Sequence, residues 1–294
     1  MASNTLCKLK VASLVEDPTK KVVLKIWKKQ VLRSKKEYHR RKDGHGMVAF
    51  DQLMKVLDSE VKAITTLATS YNPNVVRLLE IIDDEAGFED KLILVMEHCP
   101  GGQLLDWTPQ AHAFTANREN ENVDERGFVE ESTIKKVVRE VAIGLQYCHE
   151  KGVLHRDIKP QNIIFGEDHH TKIIDFGVSK VFDVNGGEGN DTVKTSEGTY
   201  HFMAPEACDP DIDEYSGKAL DVWALGVTLY ALLYNKCPFW GETDYQIMES
   251  IRNDPVNIPS DDVRSVSPEL MNLLKSLLEK NVSQRATLSQ VIDN

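Results

Sequence analysis

The sequence contains no pair of cysteines at C-x-x-C spacing. Its five cysteines, Cys7, Cys99, Cys148, Cys208 and Cys237, are odd in number and scattered over 294 residues. That excludes a disulfide framework and a structural zinc site and points to a reducing compartment. A long hydrophobic run is missing too: the longest uncharged apolar stretch, residues 222–235, is shorter than the roughly 18 to 20 residues of a bilayer span. The N-terminus carries no apolar signal region, so no membrane association is expected and the expected address is cytoplasmic or nuclear. Positive charge is not in excess. A formal net charge of −11 argues against a nucleic-acid binder. No self-similar period is present, which excludes a repeat architecture.

What is there is ordinary for a water-soluble globular chain: 41% hydrophobic and 28% charged residues, in a length that can bury the core of one large bilobal domain or two modest ones. One basic run, "KKQVLRSKKEYHRRK" at residues 28–42, stands out. It reads either as a solvated insertion or as a local patch for an acidic partner, phosphate or a membrane surface.

The first hundred residues are strand-rich. "CKLKVAS", "KKVVLKIWKK" and "KLILVMEH" are alternating or β-branched runs, and one helix lies among them. In "FDQLMKVLDSEVKAITTLAT" the residues Leu53, Val56, Leu57, Val61, Ile64 and Leu67 fall at helical spacing, with Glu60 beside that apolar face. From residue 130 helices dominate. "EESTIKKVVREVAIGLQYCHEKG" is amphipathic, with Ser132 as the expected N-cap and Gly152 just past its end. "ALDVWALGVTLYALLYN" is apolar all round and is expected to be a buried central helix, and "SPELMNLLKSLLEK" an amphipathic one. The polar segments at residues 108–127 and 184–192 have no period and are expected to be exposed insertions carrying no core. The fold class is therefore α+β, a small sheet lobe before a larger helical lobe.

The chemistry gathers in "GVLHRDIKPQNIIFG", residues 152–166. Two apolar runs that read as short buried strands flank Asp157, Lys159 and Asn162, so a rigid loop presents converging polar groups. Phosphoryl transfer needs a group that orients and deprotonates the attacking hydroxyl, cations for the developing phosphate charge, and oxygen ligands for Mg²⁺. Asp157 suits the base, Lys159 the γ-phosphate, and Asn162 a metal. Thirteen residues on, "IIDFG" places Asp175 after another apolar strand, where its carboxylate suits a phosphate-bridging Mg²⁺.

"HRDIKPQN", "DFG" at residues 175–177 and "APE" at residues 204–206, in this order and spacing, resemble the signature set of the eukaryotic protein kinases. The resemblance implies a bilobal fold with an N-lobe at residues 1–97 and a C-lobe at residues 98–294. It implies transfer of the γ-phosphate of ATP, with Mg²⁺, to a protein substrate. "VVLKI" is similar to the family's phosphate-gripping strand, so Lys25 takes that role with Glu60 as its ion-pair partner. "LVMEHCPGG" resembles the hinge: Met96 stands at the gatekeeper position, the backbone of Glu97 and Cys99 faces adenine, and Val23 and Ile164 enclose the ring. Gln103 and Gln161 also fall at nucleotide-side positions. They stand where kinases selecting basic substrates often carry acids, so strong basophilic selectivity is not expected.

Asp221 resembles the anchor of the catalytic-loop backbone, Glu206 and Arg285 a buried tie for the activation segment, and Ile64, Leu78, His155 and Phe176 the stacked spine. Lys159 and Thr199 are similar to the serine/threonine rather than the tyrosine class. "YSGKALDVWALGVTLY" followed by "CPF", with the basic insertion after Lys25, resembles the calcium/calmodulin-dependent protein kinase kinases. No calmodulin-binding tail is present up to Asn294, so calcium control is not inferred.

Against the family's G-x-G-x-x-G-x-V loop this sequence sets "ASNTLCKL" at residues 2–9. Ala2, Asn4 and Cys7 replace the glycines, and Leu9 closes the pattern. Without glycines the backbone approaches phosphate less closely, so a looser nucleotide grip is expected. Three readings follow: a sequence that begins late, with the strand leading into this loop missing before Met1; a working kinase with a degenerate loop, which is the reading taken; and a nucleotide-impaired pseudokinase scaffold as its alternative. Arg156 and the hydroxyls of Thr195 and Ser196 imply activation by a phosphate placed by an upstream kinase or by autophosphorylation.

Overall fold

The computed structural model describes residues 7–29, 46–84, 90–116, 122–187, 189–194 and 197–293, with residues 46–55 described by their backbone alone. Ala2, Asn4, Thr195, Ser196 and nearly all of the basic run at residues 28–42 lie outside the described residues. The chain divides into two compact units: Met1–Tyr71 with Val76–Pro100, and Asn72–Val75 with Gly101–Asn294.

In the first unit β1 (Cys7–Ser13), β2 (Lys21–Lys28), β3 (Leu78–Asp84) and β4 (Lys91–Glu97) form one antiparallel sheet in the order β1-β2-β4-β3. β2 is built of β-branched and aromatic residues that suit a pleated, half-buried surface. Side chains alternate across the strand, so Val23, Lys25 and Trp27 share a face, opposite Met96, Leu94 and Leu92 of β4. α1 (Gly46–Leu67) buries Leu57, Glu60, Ala63, Ile64 and Leu67, the i, i+3, i+4 stripe of an amphipathic helix. Val56, expected on that stripe, is exposed. The buried stripe runs through the carboxylate of Glu60 instead.

The second unit is organised around α3 (Gly217–Tyr234), buried on nearly every side, with Ser216 as its N-cap accepting from the Ala219 amide at 3.2 Å. α2 (Glu131–Glu150) packs against it. Among the described residues, three further α-helices belong to this unit: α4 (Asp244–Asn253), α5 (Pro268–Leu277) and α6 (Leu288–Asp293). The expected N-cap of α2 is corrected: Glu130 occupies that position without a side-chain bond, and Ser132 lies inside the first turn. Gly152 follows α2 at φ +74°, and a Cβ there would stand 2.4 Å from the Phe182 carbonyl. Only glycine fits both constraints.

Short strands frame the loops: β5 (Gly102–Gln103), β9 (Ile163–Phe165) and β10 (Thr171–Ile173) form one small sheet, and β8 (Val153–Leu154) pairs with β11 (Lys180–Val181). Residues 108–127 do carry core, contrary to the sequence expectation. β6 (Leu105–Thr108) and β7 (Ala113–Ala116) make a hairpin whose Phe114 and Ala116 are buried, with Phe114 edge-on to Trp107 at 4.9 Å. In residues 184–192 the exposed loop ends in a clamp. Asp191 accepts from the Ser216 hydroxyl at 2.5 Å and the Lys218 amide at 3.1 Å, fixing the start of α3. Among the described residues, no helix is long and apolar enough to cross a membrane.

Candidate active site

The loop from β8 to β9 is held from below by a buried carboxylate. Asp221, on α3 and fully buried, accepts from the His155 amide at 3.0 Å and the Arg156 amide at 2.7 Å, and bonds His149 Nε2 at 2.8 Å. Burial alone would raise the pKa of this carboxyl, but the hydrogen bond and charge of His149 and the loop amide outweigh it and hold it below the ordinary value. Arg156 takes a left-handed backbone, φ +64°. That conformation turns the chain so that successive amides point at one carboxylate. His155 is buried edge-on to Phe176 at 5.0 Å, with Nε2 on the Ile174 carbonyl at 3.0 Å. It is a packing residue, the role implied by the resemblance to a stacked spine.

On this base the loop gathers its polar groups. Lys159 Nζ lies 2.7 Å from Asp157 Oδ2 and 2.9 Å from Thr199 Oγ1, and the Thr199 hydroxyl donates to Asp157 Oδ1 at 3.0 Å. Asn162 Nδ2 donates to the Asp157 carbonyl at 2.8 Å and to its Oδ2 at 3.0 Å. Both donor hydrogens of the amide are thereby committed, which orients its Oδ1 as the end that offers an acceptor. Asp175 follows β10 in a left-handed conformation, φ +64°. The chain between them is tied by the Ile174 amide to the Asn162 carbonyl at 2.9 Å.

The other sequence-derived positions divide between the units. In the first, Lys25 and Glu60 form a buried ion pair, and Val23 stands opposite Met96 across β2 and β4. The Glu97 amide is bound to the Arg77 carbonyl at 3.0 Å. Cys7 is half-buried and Leu9 exposed on β1, and Cys99 follows β4. In the second, Ile164 of β9 stands opposite Gln103 of β5. The Gln103 amide is tied to the Asp106 carboxylate, while Gln161 sits in the one-turn helix Pro160–Asn162 with a buried Oε1.

Residues 10–294 match the family model described as the protein kinase domain. The chain belongs to the protein kinase family. Among similar proteins are the serine/threonine-protein kinase ssp1 of Schizosaccharomyces pombe, 38% identical over 78% of this chain and 33% of that protein, and the serine/threonine-protein kinase GRIK2 of Arabidopsis thaliana, 35% identical over 76% and 49%. The chain spans between a third and a half of the length of these relatives.

Within the kinase domain two parts of the site escaped sequence reasoning. Thr199, a class marker by resemblance, closes a triangle with Lys159 and with Asp157, 42 residues away. His149, which braces Asp221, sits 72 residues from it in a stripe of buried residues on α2. A lone histidine in an apolar stripe was its signal. Glu206 and Arg285 meet in two bonds of 2.8 and 2.7 Å, and the guanidinium lies 5.0 Å over the Trp223 ring. The donor chemistry fits a hard cation, since the Asp175 carboxylate and the oriented Asn162 oxygen are the ligand types Mg²⁺ takes while keeping water. The buried Lys25 ammonium, neutralised by Glu60, suits a phosphate.

Proposed function

We propose that this chain phosphorylates serine and threonine hydroxyls of proteins, using ATP and Mg²⁺, and that it is of the calcium/calmodulin-dependent protein kinase kinase type. The observation that carries the reading is the triangle of Asp157, Lys159 and Thr199, with Asn162 bonded to the same aspartate. Asp157 holds the attacking hydroxyl and takes its proton. Lys159, already beside that carboxylate, faces the phosphate as charge builds. Lys25 holds phosphate oxygens from β2, and Asn162 and Asp175 hold the metal. Bound ATP and Mg²⁺ supply the phosphoryl group and neutralise the charge on its oxygens.

The serine/threonine class draws support from Thr199, whose hydroxyl occupies Lys159 and Asp157 together, and from the relatives named above. The finer type rests on the helix "YSGKALDVWALGVTLY" and the placing of the basic insertion.

The test is Mg²⁺-dependent ATP binding by calorimetry on the chain and on Asp175→Ala, followed by phosphoamino-acid analysis of a protein mixture incubated with labelled ATP. Metal-dependent binding lost in Asp175→Ala, with label on serine or threonine, supports the reading. No binding by the unmodified chain favours the scaffold alternative, in which Cys7 and the other residues replacing glycine have removed the nucleotide grip.

A further inference from the structure

Arg156 makes two bonds from the catalytic loop: its amide to Asp221 and its Nε to the Val178 carbonyl at 2.7 Å. The guanidinium is half-buried, and burial lowers its pKa against the opposing charges of Glu197 and Asp221. Asp221 already serves two loop amides and His149, whereas Glu197 comes from another segment. A cation taken partly out of water needs a compensating charge. Glu197 and Arg156 line the same small cavity, about 20 Å³, together with Asp157, Thr199 and apolar side chains such as Phe202 and Leu220. The two charges border this space and attract one another across it.

The backbone beside Glu197 is placed by contact. Gly198 stands at φ +104°, and a Cβ there would be 2.5 Å from the Arg156 carbonyl and 3.2 Å from Asp157 Oδ1. Thr199 then bonds Asp157 and Lys159. Three consecutive residues thus meet the catalytic loop: a charge beside Arg156, a glycine against its carbonyl, and a hydroxyl on Asp157.

We infer that Glu197 is a positioning residue whose carboxylate supplies, from within the chain, the negative charge that holds Arg156 and seats residues 197–199 on Asp157. Seating then does not require a phosphate on the preceding hydroxyls. The inference rests on the kinase reading for its effect on turnover, but the seating itself is measurable without it. Glu197 is exposed, so its attraction is open to screening by salt.

The test uses phosphatase-treated protein, shown phosphate-free by mass spectrometry, as the unmodified chain, Glu197→Gln and Glu197→Asp. Amide hydrogen exchange is followed in nucleotide-free protein at residues 155–159 and 197–203, and transfer from ATP to a peptide library bearing a single Ser or Thr. Glu197→Gln is expected to speed exchange in both segments and to lower kcat by about tenfold with little change in KM for ATP. Glu197→Asp is expected to restore most of both. Raising the salt concentration is expected to loosen the unmodified chain towards Glu197→Gln while barely moving that variant. Equal exchange in the unmodified chain and Glu197→Gln would overturn the inference. So would a phosphate-free chain as loose as Glu197→Gln that tightens only when Thr195 or Ser196 carries phosphate. If exchange separates the variants as expected but none transfers phosphate, the positioning stands and the kinase reading fails.

Discussion

The two units hold their charges by different means. In the second, Asp157 is bonded by Lys159, Thr199 and Asn162, and the loop that carries it hangs from Asp221 by two amides. In the first, the Lys25 charge is met by Glu60, a pair 35 residues apart that joins one strand to one helix. A network that returns several bonds to one carboxylate resists the loss of any single bond but transmits it to the whole loop. A strand-to-helix ion pair depends on where the helix lies, so its loss should stay local. The comparison assigns rigidity to the catalytic loop and adjustability to the Lys25–Glu60 pair.

The strongest way to break that contrast is at Asp157. Asp157→Asn keeps the shape and most of the bonds, so folding and nucleotide affinity should persist while turnover falls by about three orders of magnitude. Parallel loss of affinity and turnover would mean that the loop itself had collapsed. Next comes the pair in the first unit. Lys25→Met removes the ammonium bonded to the buried Glu60 carboxylate and should destabilise by about 3–5 kcal/mol in urea unfolding, with Lys25→Met/Glu60→Leu recovering most of it. Amide exchange around Asp157 should be unchanged in both variants, and faster exchange there would end the claim that the damage is local.

Asp221→Asn probes the anchor. The change should cost about 2 kcal/mol and speed exchange at His155 and Arg156. Its pH dependence has a definite sign. The carboxyl is held below its ordinary pKa in the folded chain, so its stabilisation is fully present above about pH 4 and is lost as pH falls through the lower folded value. Asp221→Asn should therefore remove part of the stability difference between neutral pH and the acid range, as read by urea midpoints at each pH. The smallest expected effect belongs to Val56. Being exposed, Val56→Ser should shift stability by no more than about 0.5 kcal/mol, whereas a large loss would put it back on the buried stripe of α1.

Legibility followed the distance over which each feature is made. Asp157, Lys159 and Asn162 could be picked out because they lie within six residues between two short apolar runs, and α3 because it is apolar all round. The β6–β7 hairpin was missed, since "AFTA" offers only four alternating residues inside a polar segment and its burial depends on Trp107. Residue type favours Ser132 as a cap, but the cap falls two residues earlier, at Glu130. His149, Thr199 and Glu197 carry no local mark of their partners, which are remote in sequence.

By itself the sequence determined the α+β class, the main strands and helices, and the donors available for phosphoryl transfer, because periodicity and residue chemistry are local properties of the chain. Only the tertiary structure decided which oxygen each donor meets: Asp221 on the loop amides, Thr199 between Lys159 and Asp157, Asn162 with its amide hydrogens committed to Asp157. Hydrogen bonds are short and directional and buried charges must be matched where they lie, so these assignments exist only once distant segments have been packed together.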